Sequence, residues 1–237
     1  MSLKLNNLYI KNMKATKFGE ILLLEYPSNL EMNLSTFCIS EFFEGDLKGK
    51  KFTTDQFIEE WSDENGNMDI LEYGGKFYSY FSYWDGINFT KKVLDKFAVK
   101  FESNLSVREK EIIRAARKSS YIIALAENGA KSTRRHEFAH AFSFTDKAYK
   151  TKVFEIVESI PKELRDKFLS GLEGMGYSIG DPAYENEEIH AYLVGYDQKE
   201  YENFFPLILP EEVATYVASI GEIYAEKESS IIINTTI

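Results

Sequence analysis

Tyr121-Ile122-Ile123-Ala124-Leu125-Ala126, followed closely by Ser132-Thr133-Arg134-Arg135-His136-Glu137-Phe138-Ala139-His140, is the stretch on which the reading of the fold turns. The first six residues form an unbroken apolar run rich in β-branched side chains, which reads as a strand. Gly129 marks a short loop, and Ser132 and Thr133 are N-cap candidates for a helix carrying the rest. His136 and His140 are two of only three histidines in the chain, and a spacing of four brings both imidazoles to one side of a helix. Neutral imidazole nitrogens bind Zn²⁺ at about 2.0–2.1 Å, and Glu137 places a carboxylate beside the first of them. Strand, turn and metal-binding helix is the local order this predicts.

At about 100° per residue from His136, His140 falls near 40° and Ser143 near 340°, while Phe138, Ala141 and Phe142 occupy the opposite arc. Both histidines are therefore expected to look away from the apolar stripe, toward a cleft or water. Lys131, Arg134 and Arg135 near the helix start are either solvated surface charge or contacts for an anionic substrate group.

A catalytic zinc site normally takes three protein ligands and keeps a position for water. Ala141 to Asp146 contains no further histidine, so attention passes to Asp181-Pro182-Ala183-Tyr184-Glu185-Asn186-Glu187-Glu188-Ile189-His190-Ala191-Tyr192-Leu193. Asp181 suits a helix cap and Pro182 a first turn. Glu187, Glu188 and His190 compete as ligands. With Glu188 at 0°, Tyr192, Tyr196, Ile189 and Leu193 lie at roughly 40°, 80°, 100° and 140° and define a buried face. Glu187 and His190, near 260° and 200°, fall on the expected solvent side. Glu188 stands at the edge of the buried face, beside Ala191 and Gly195 at about 300° and 340°, where small side chains admit another helix. A carboxylate buried there needs a cation. This favours Glu188, with Glu187 and His190 as alternatives.

The pentapeptide, with Thr133 ahead of it and uncharged Phe138, Ala139, Ala141 and Phe142 within and after it, resembles zincin metallopeptidases. Arg134 departs from the uncharged run that family favours before the motif, and the lack of Gly and His after it excludes the metzincin branch. Glu188-x-x-Ala191 resembles the third-ligand pattern of gluzincins, and the long spacing from His140 is similar to the anthrax lethal factor type of catalytic domain. The resemblance covers residues 120–195. It implies a peptidase that hydrolyses peptide bonds of a peptide or protein substrate through a zinc-bound water activated by Glu137, with Zn²⁺ held by His136, His140 and Glu188. Tyr184 or Tyr177 would assist the oxyanion, Tyr192 being the third phenol nearby. It also suggests residues 121–126 as the lip of a cleft, offering backbone groups to an extended substrate. A catalytically silent zinc-binding regulatory protein, or a zinc hydrolase of a non-peptide amide or ester, are the alternatives.

The composition sets wider bounds. In 237 residues, 44% hydrophobic and 15% aromatic content permits a substantial core in one large domain or two small ones. A net charge of −10 argues against a general nucleic-acid binder, which needs clustered Lys and Arg. The lone Cys38 excludes a disulfide framework and a Cys-based zinc site. No apolar run approaches the ~18 residues that span a bilayer, and Met1-Ser2-Leu3-Lys4 lacks a signal-like core, so the expected location is the cytoplasm, with leaderless secretion left open. The sequence is silent on oligomeric state.

The expected fold is α+β: a strand-rich α+β part over 1–86 that covers the site or binds substrate, then a zincin-like, mainly helical part over 87–237 with a small sheet. Strands are expected over 21–26, 34–43, 77–84 and 231–233, with Tyr26-Pro27-Ser28-Asn29 as a turn. Helices are expected over 54–61, 88–101, 106–118, 147–159, 162–171 and 210–226. The aromatics Phe77, Tyr78, Tyr80, Phe81, Tyr83 and Trp84 offer a recognition surface or a sheet core. Asp63 to Asp69 reads as a polar turn, because Met68 occupies the glycine position of a calcium loop.

Overall fold

The computed structural model describes residues 13–43, 48–50, 52, 56–57, 71–73, 76–78, 84–127 and 129–235. The architecture is α+β, as expected, and the chain divides into two compact units, Met1–Gly129 and Ala130–Ile237.

In the first unit, β1 (Lys14–Phe18) turns back through Gly19, at a φ of 59° that glycine adopts without penalty, into β2 (Ile21–Tyr26). Ser28 then starts α1 (Asn29–Phe43): its carbonyl accepts from Met32 N at 3.0 Å and its Oγ from Glu31 N at 3.3 Å. This helix replaces the strand expected over 34–43. Its hydroxyls are satisfied inside the helix, Ser35 donating to the Glu31 carbonyl and Thr36 to that of Met32, at 2.6 and 2.8 Å. Met32, Phe37 and Ile39 join the core beneath it, so burial overrides the strand propensity of Leu34 to Phe43.

Next come β3 (Leu71–Tyr73) and β4 (Lys76–Tyr78), an antiparallel pair. The expected helix over 54–61 and the polar turn over 63–69 lie wholly or largely outside the described residues, as does the 79–83 part of the aromatic stretch. β5 (Gly86–Thr90) hands over to α2 (Lys91–Phe101), capped where Thr90 Oγ1 accepts from Val93 N at 3.3 Å. The helix expected from residue 88 therefore cedes its first turn to a strand. α3 (Val107–Ala115) opens with a capping box: Ser106 Oγ accepts from Glu109 N, and Glu109 Oε2 accepts from Ser106 N.

β6 (Tyr121–Ala126) completes a sheet in the order β1-β2-β6-β5, parallel to β2 and antiparallel to β5. All six of its residues are buried. A strand paired on both sides has no free backbone edge, so the expectation that 121–126 receives an extended substrate is overturned. The boundary expected after residue 86 falls at the first residue of β5, inside this sheet.

The second unit is built from α4 (Lys131–Thr145), α5 (Lys147–Glu158), α6 (Lys162–Gly174), α7 (Pro182–Val194), α8 (Gln198–Phe204) and α9 (Pro210–Thr235). α4 begins before the expected caps: Ala130 is the N-cap, its carbonyl accepting from Arg134 N at 3.2 Å, and Ser132 and Thr133 lie in the first turn. α7 starts as expected, with the Asp181 carboxylate accepting from Ala183 N at 3.0 Å and Pro182 at the first position. The strand expected over 231–233 is the last part of α9. α4, α5 and α9 all pack on α7. Such a helix is covered on three sides, and His190, expected on a solvent side, is fully buried. Among the described residues no helix is long and apolar enough to cross a membrane.

Candidate metal centre

The group expected to bind metal lies within the second unit, on α4 and α7. Phe138, Ala139, Ala141 and Phe142 enter the core from α4, with the Phe142 ring 5.7 Å from Tyr149 and 5.3 Å from Tyr224. This anchoring fixes the rotation of α4 and turns His136 and His140 toward α7. They face another helix rather than the cleft or water expected: His140 is buried, and the His136 side chain keeps 16% of its exposure. Gly195 makes the close approach feasible. A Cβ there would lie 2.9 Å from the Ser132 carbonyl oxygen and 3.2 Å from His136 Cβ.

His136 Nε2 and His140 Nε2 are 3.1 Å apart, and Glu188 Oε2 lies 3.9 Å from the first and 3.8 Å from the second. One donor atom from each residue falls within 4.8 Å of the others, the one such His, Cys, Asp or Glu group among the described residues. Bonds of about 2.0–2.1 Å in a tetrahedron separate donor atoms by roughly 3.3 Å. Shifts of a few tenths of an ångström would bring this trio to that spacing, so it could hold a zinc ion.

The alternative ligands are engaged elsewhere. Glu187 Oε1 accepts from His140 Nδ1 at 3.4 Å, and its Oε2 accepts from Ser143 Oγ at 2.8 Å and Lys150 Nζ at 3.3 Å. His190 Nε2 meets the Tyr149 hydroxyl at 2.8 Å. Glu188 alone of the three stands with both histidine Nε2 atoms.

Two lone pairs cannot face each other at 3.1 Å without repulsion, so a proton or a cation must lie between the imidazoles. Burial opposes charge on His140, yet Glu188, then Glu187 and Glu137, outweigh it and push its pKa up to about 9. Burial, with help from His140 and His190, holds His136 well below the usual histidine range. His140 therefore carries the shared proton and donates it to His136. Burial works against the Glu187 charge too, but the hydrogen bond from His140 dominates and draws its pKa down to about 2. A dication at this place would take over the proton's role.

Glu137, next to His136 on α4, is buried, and its field reaches His140 and Tyr192. The Tyr192 ring stands 4.6 Å from that of His136, and its hydroxyl is 3.1 Å from that of Tyr177. Burial raises both phenols, Tyr192 to about 12 and Tyr177 further, where the field of Glu188 adds to it. Of the two expected phenols, Tyr177 thus lies in the field of Glu188, and Tyr184 packs its ring 6.3 Å from that of Tyr177. Tyr192, given no role in the sequence, is the phenol that packs on His136. Its spacing of four from Glu188 puts the two on one face of α7, which is the signal that could have found it. Arg134 and Arg135 lay their guanidinium groups 5.3 Å from the ring centroids of Phe138 and Tyr224, while Lys131 is exposed.

Comparisons of the chain with protein families, curated proteins and solved structures return no match.

Proposed function

We propose that the chain is a zinc-dependent peptidase of gluzincin type, with His136, His140 and Glu188 as the metal ligands. The observation that supports this most is the convergence of two imidazole nitrogens and one buried carboxylate within 4.8 Å, with a second buried carboxylate, Glu137, one residue along from His136. A nitrogen, nitrogen, oxygen set suits Zn²⁺, and three protein ligands leave a tetrahedral position open, as catalytic sites do. Bound there, zinc supplies a Lewis acid and renders water acidic near neutral pH.

Glu137 takes a proton from the water that attacks the peptide carbonyl carbon. As the C–N bond breaks, the same carboxyl gives the proton to the departing amine nitrogen. Tyr177 or Tyr192, kept protonated by burial, donates its O–H to the oxygen that gains charge.

Metal analysis of purified protein, paired with a broad peptide library, tests the proposal. One zinc per chain is expected in the wild type and none in His136→Ala or Glu188→Ala. Glu137→Gln should keep its zinc and lose about 10²–10⁴-fold in hydrolysis. Undiminished zinc in Glu188→Ala sinks the ligand assignment. The burial of His140, Glu137 and Glu188 also favours a second reading, a non-catalytic protein whose zinc fastens α4 to α7. Zinc binding without hydrolysis of any peptide in the library decides for it.

A further inference from the structure

Glu187 and Glu188, consecutive on α7, meet the same imidazole at its two different nitrogens. Glu188 Oε2 lies 3.8 Å from His140 Nε2, and Glu187 Oε1 lies 3.4 Å from His140 Nδ1. Adjacent helical residues diverge by about 100°, so a ring inserted between them can be touched from both sides. We infer that Glu187 is a positioning residue for the metal centre: by accepting the Nδ1–H of His140, it fixes the tautomer and the rotation that present Nε2 to the cation. The inference rests on the zinc reading above.

The chemistry of the groups supports the assignment. A neutral imidazole has one N–H, and its other nitrogen offers a lone pair. An ionised carboxylate only accepts, so at Nδ1 it selects the tautomer protonated there and leaves Nε2 free to ligate. Glu187 is itself held in place, because its second oxygen accepts from Ser143 Oγ at 2.8 Å and Lys150 Nζ at 3.3 Å. Ser143 belongs to α4, one turn beyond His140, and Lys150 to α5, so three helices converge on one carboxylate. Lys150 also offsets the negative charge that Glu187 would otherwise add beside Glu188 and Glu137.

His136 has the backbone of Ala191 beside its ring, which favours its protonated form. One turn of α7 therefore supplies a candidate ligand, Glu188, and an outer hydrogen-bond partner for His140, Glu187. Outer partners of this kind are worth 10–100-fold in metal affinity.

The experiment measures Zn²⁺ affinity by competition with a chromogenic chelator, and the visible spectrum of the Co²⁺-loaded protein, for wild type, Glu187→Ala and Glu187→Gln. Circular dichroism confirms that each variant is folded. Glu187→Ala should bind zinc 10–100-fold more weakly and show altered Co²⁺ bands. Glu187→Gln, whose amide oxygen can still accept from Nδ1–H, should regain part of both. It also carries the test if the alanine variant fails to fold, through a several-fold loss of affinity. Variants that lose thermal stability yet bind zinc within a factor of two of wild type, with unchanged Co²⁺ bands, overturn the inference alone. A wild type that binds neither metal overturns the zinc reading itself.

Discussion

Without a metal, His136 and His140 would share one proton across 3.1 Å, and that proton would govern how the group responds to pH. The pKa of His140 stands at about 9 against an ordinary 6.5, so the metal-stripped protein gains stability that is fully present below pH 6.5 and lost as pH rises through 9. At 1.36 kcal/mol per unit the contribution is on the order of 3 kcal/mol. Glu187 has the opposite sense: drawn from 4.5 to about 2, it contributes stability present above pH 4.5 and lost as pH falls through 2. Part of each shift is the one interaction between His140 and Glu187, so the two contributions are not additive. Denaturant midpoints of chelator-treated protein should decline between about pH 6.5 and 9, and a flat profile would contradict the charged pair. Zinc bound by both imidazoles would displace that proton, so its affinity is expected to rise with pH over the same window. Calorimetry in buffers of different ionisation enthalpy should register about one proton released per zinc near neutral pH, and no release would rule out the shared proton.

The contact between α4 and α7 sets the spacing of the donors, and Gly195 sets the contact. Its missing Cβ would sit 2.9 Å from the Ser132 carbonyl oxygen, a backbone atom that can move only with its helix. Gly195→Ala should therefore push the helices apart, cost about 1–3 kcal/mol by overpacking and weaken zinc binding. A denaturant midpoint and a chelator competition that both match wild type would refute this. Elements defined by local chemistry were legible in the sequence: the Asp181-Pro182 start of α7, the helix beginning near Ser106 and the apolar strand at Ile21 to Tyr26. So was the grouping of His136, His140 and Glu188, because i,i+4 spacing and a small-residue edge at Ala191 and Gly195 are helical facts. α1 was not, since β-branched and aromatic residues spread over Leu34 to Phe43 look alike in a strand and in a helix buried against a sheet. His190 was misjudged for a related reason. A helical wheel with one buried face has no place for a helix packed on three sides.

At the scale of the whole molecule, what local pattern could not reveal is long-range pairing. β2 and β6 lie side by side although about a hundred positions separate them, and their register, Ile21 opposite Tyr121, draws β5 and β6 into the first unit with the N-terminal strands. The expected division after residue 86 placed those strands with the helices that carry His136, His140 and Glu188, whereas the contacts divide the chain after Gly129. All three candidate ligands, Glu137, both phenols and the Glu187 cluster then belong to Ala130–Ile237. That unit has a core of its own, with Phe142, Tyr149, Val153, Phe168, Leu193, Phe205 and Tyr224 all buried. Its helices are tied to each other as well: Lys227 of α9 donates to the Asp146 carboxylate that caps α5, and Arg165 of α6 to Glu185 and Asn186 of α7. A unit of about a hundred residues with this many buried apolar side chains is large enough to fold alone. Expressed as residues 130–237, it should be helical, unfold cooperatively and bind one zinc with an affinity within about tenfold of the full chain. A fragment that folds but binds no zinc, while the full chain binds it, would show that the centre depends on the first unit. A fragment that stays unfolded even with zinc would show that the two units do not fold independently.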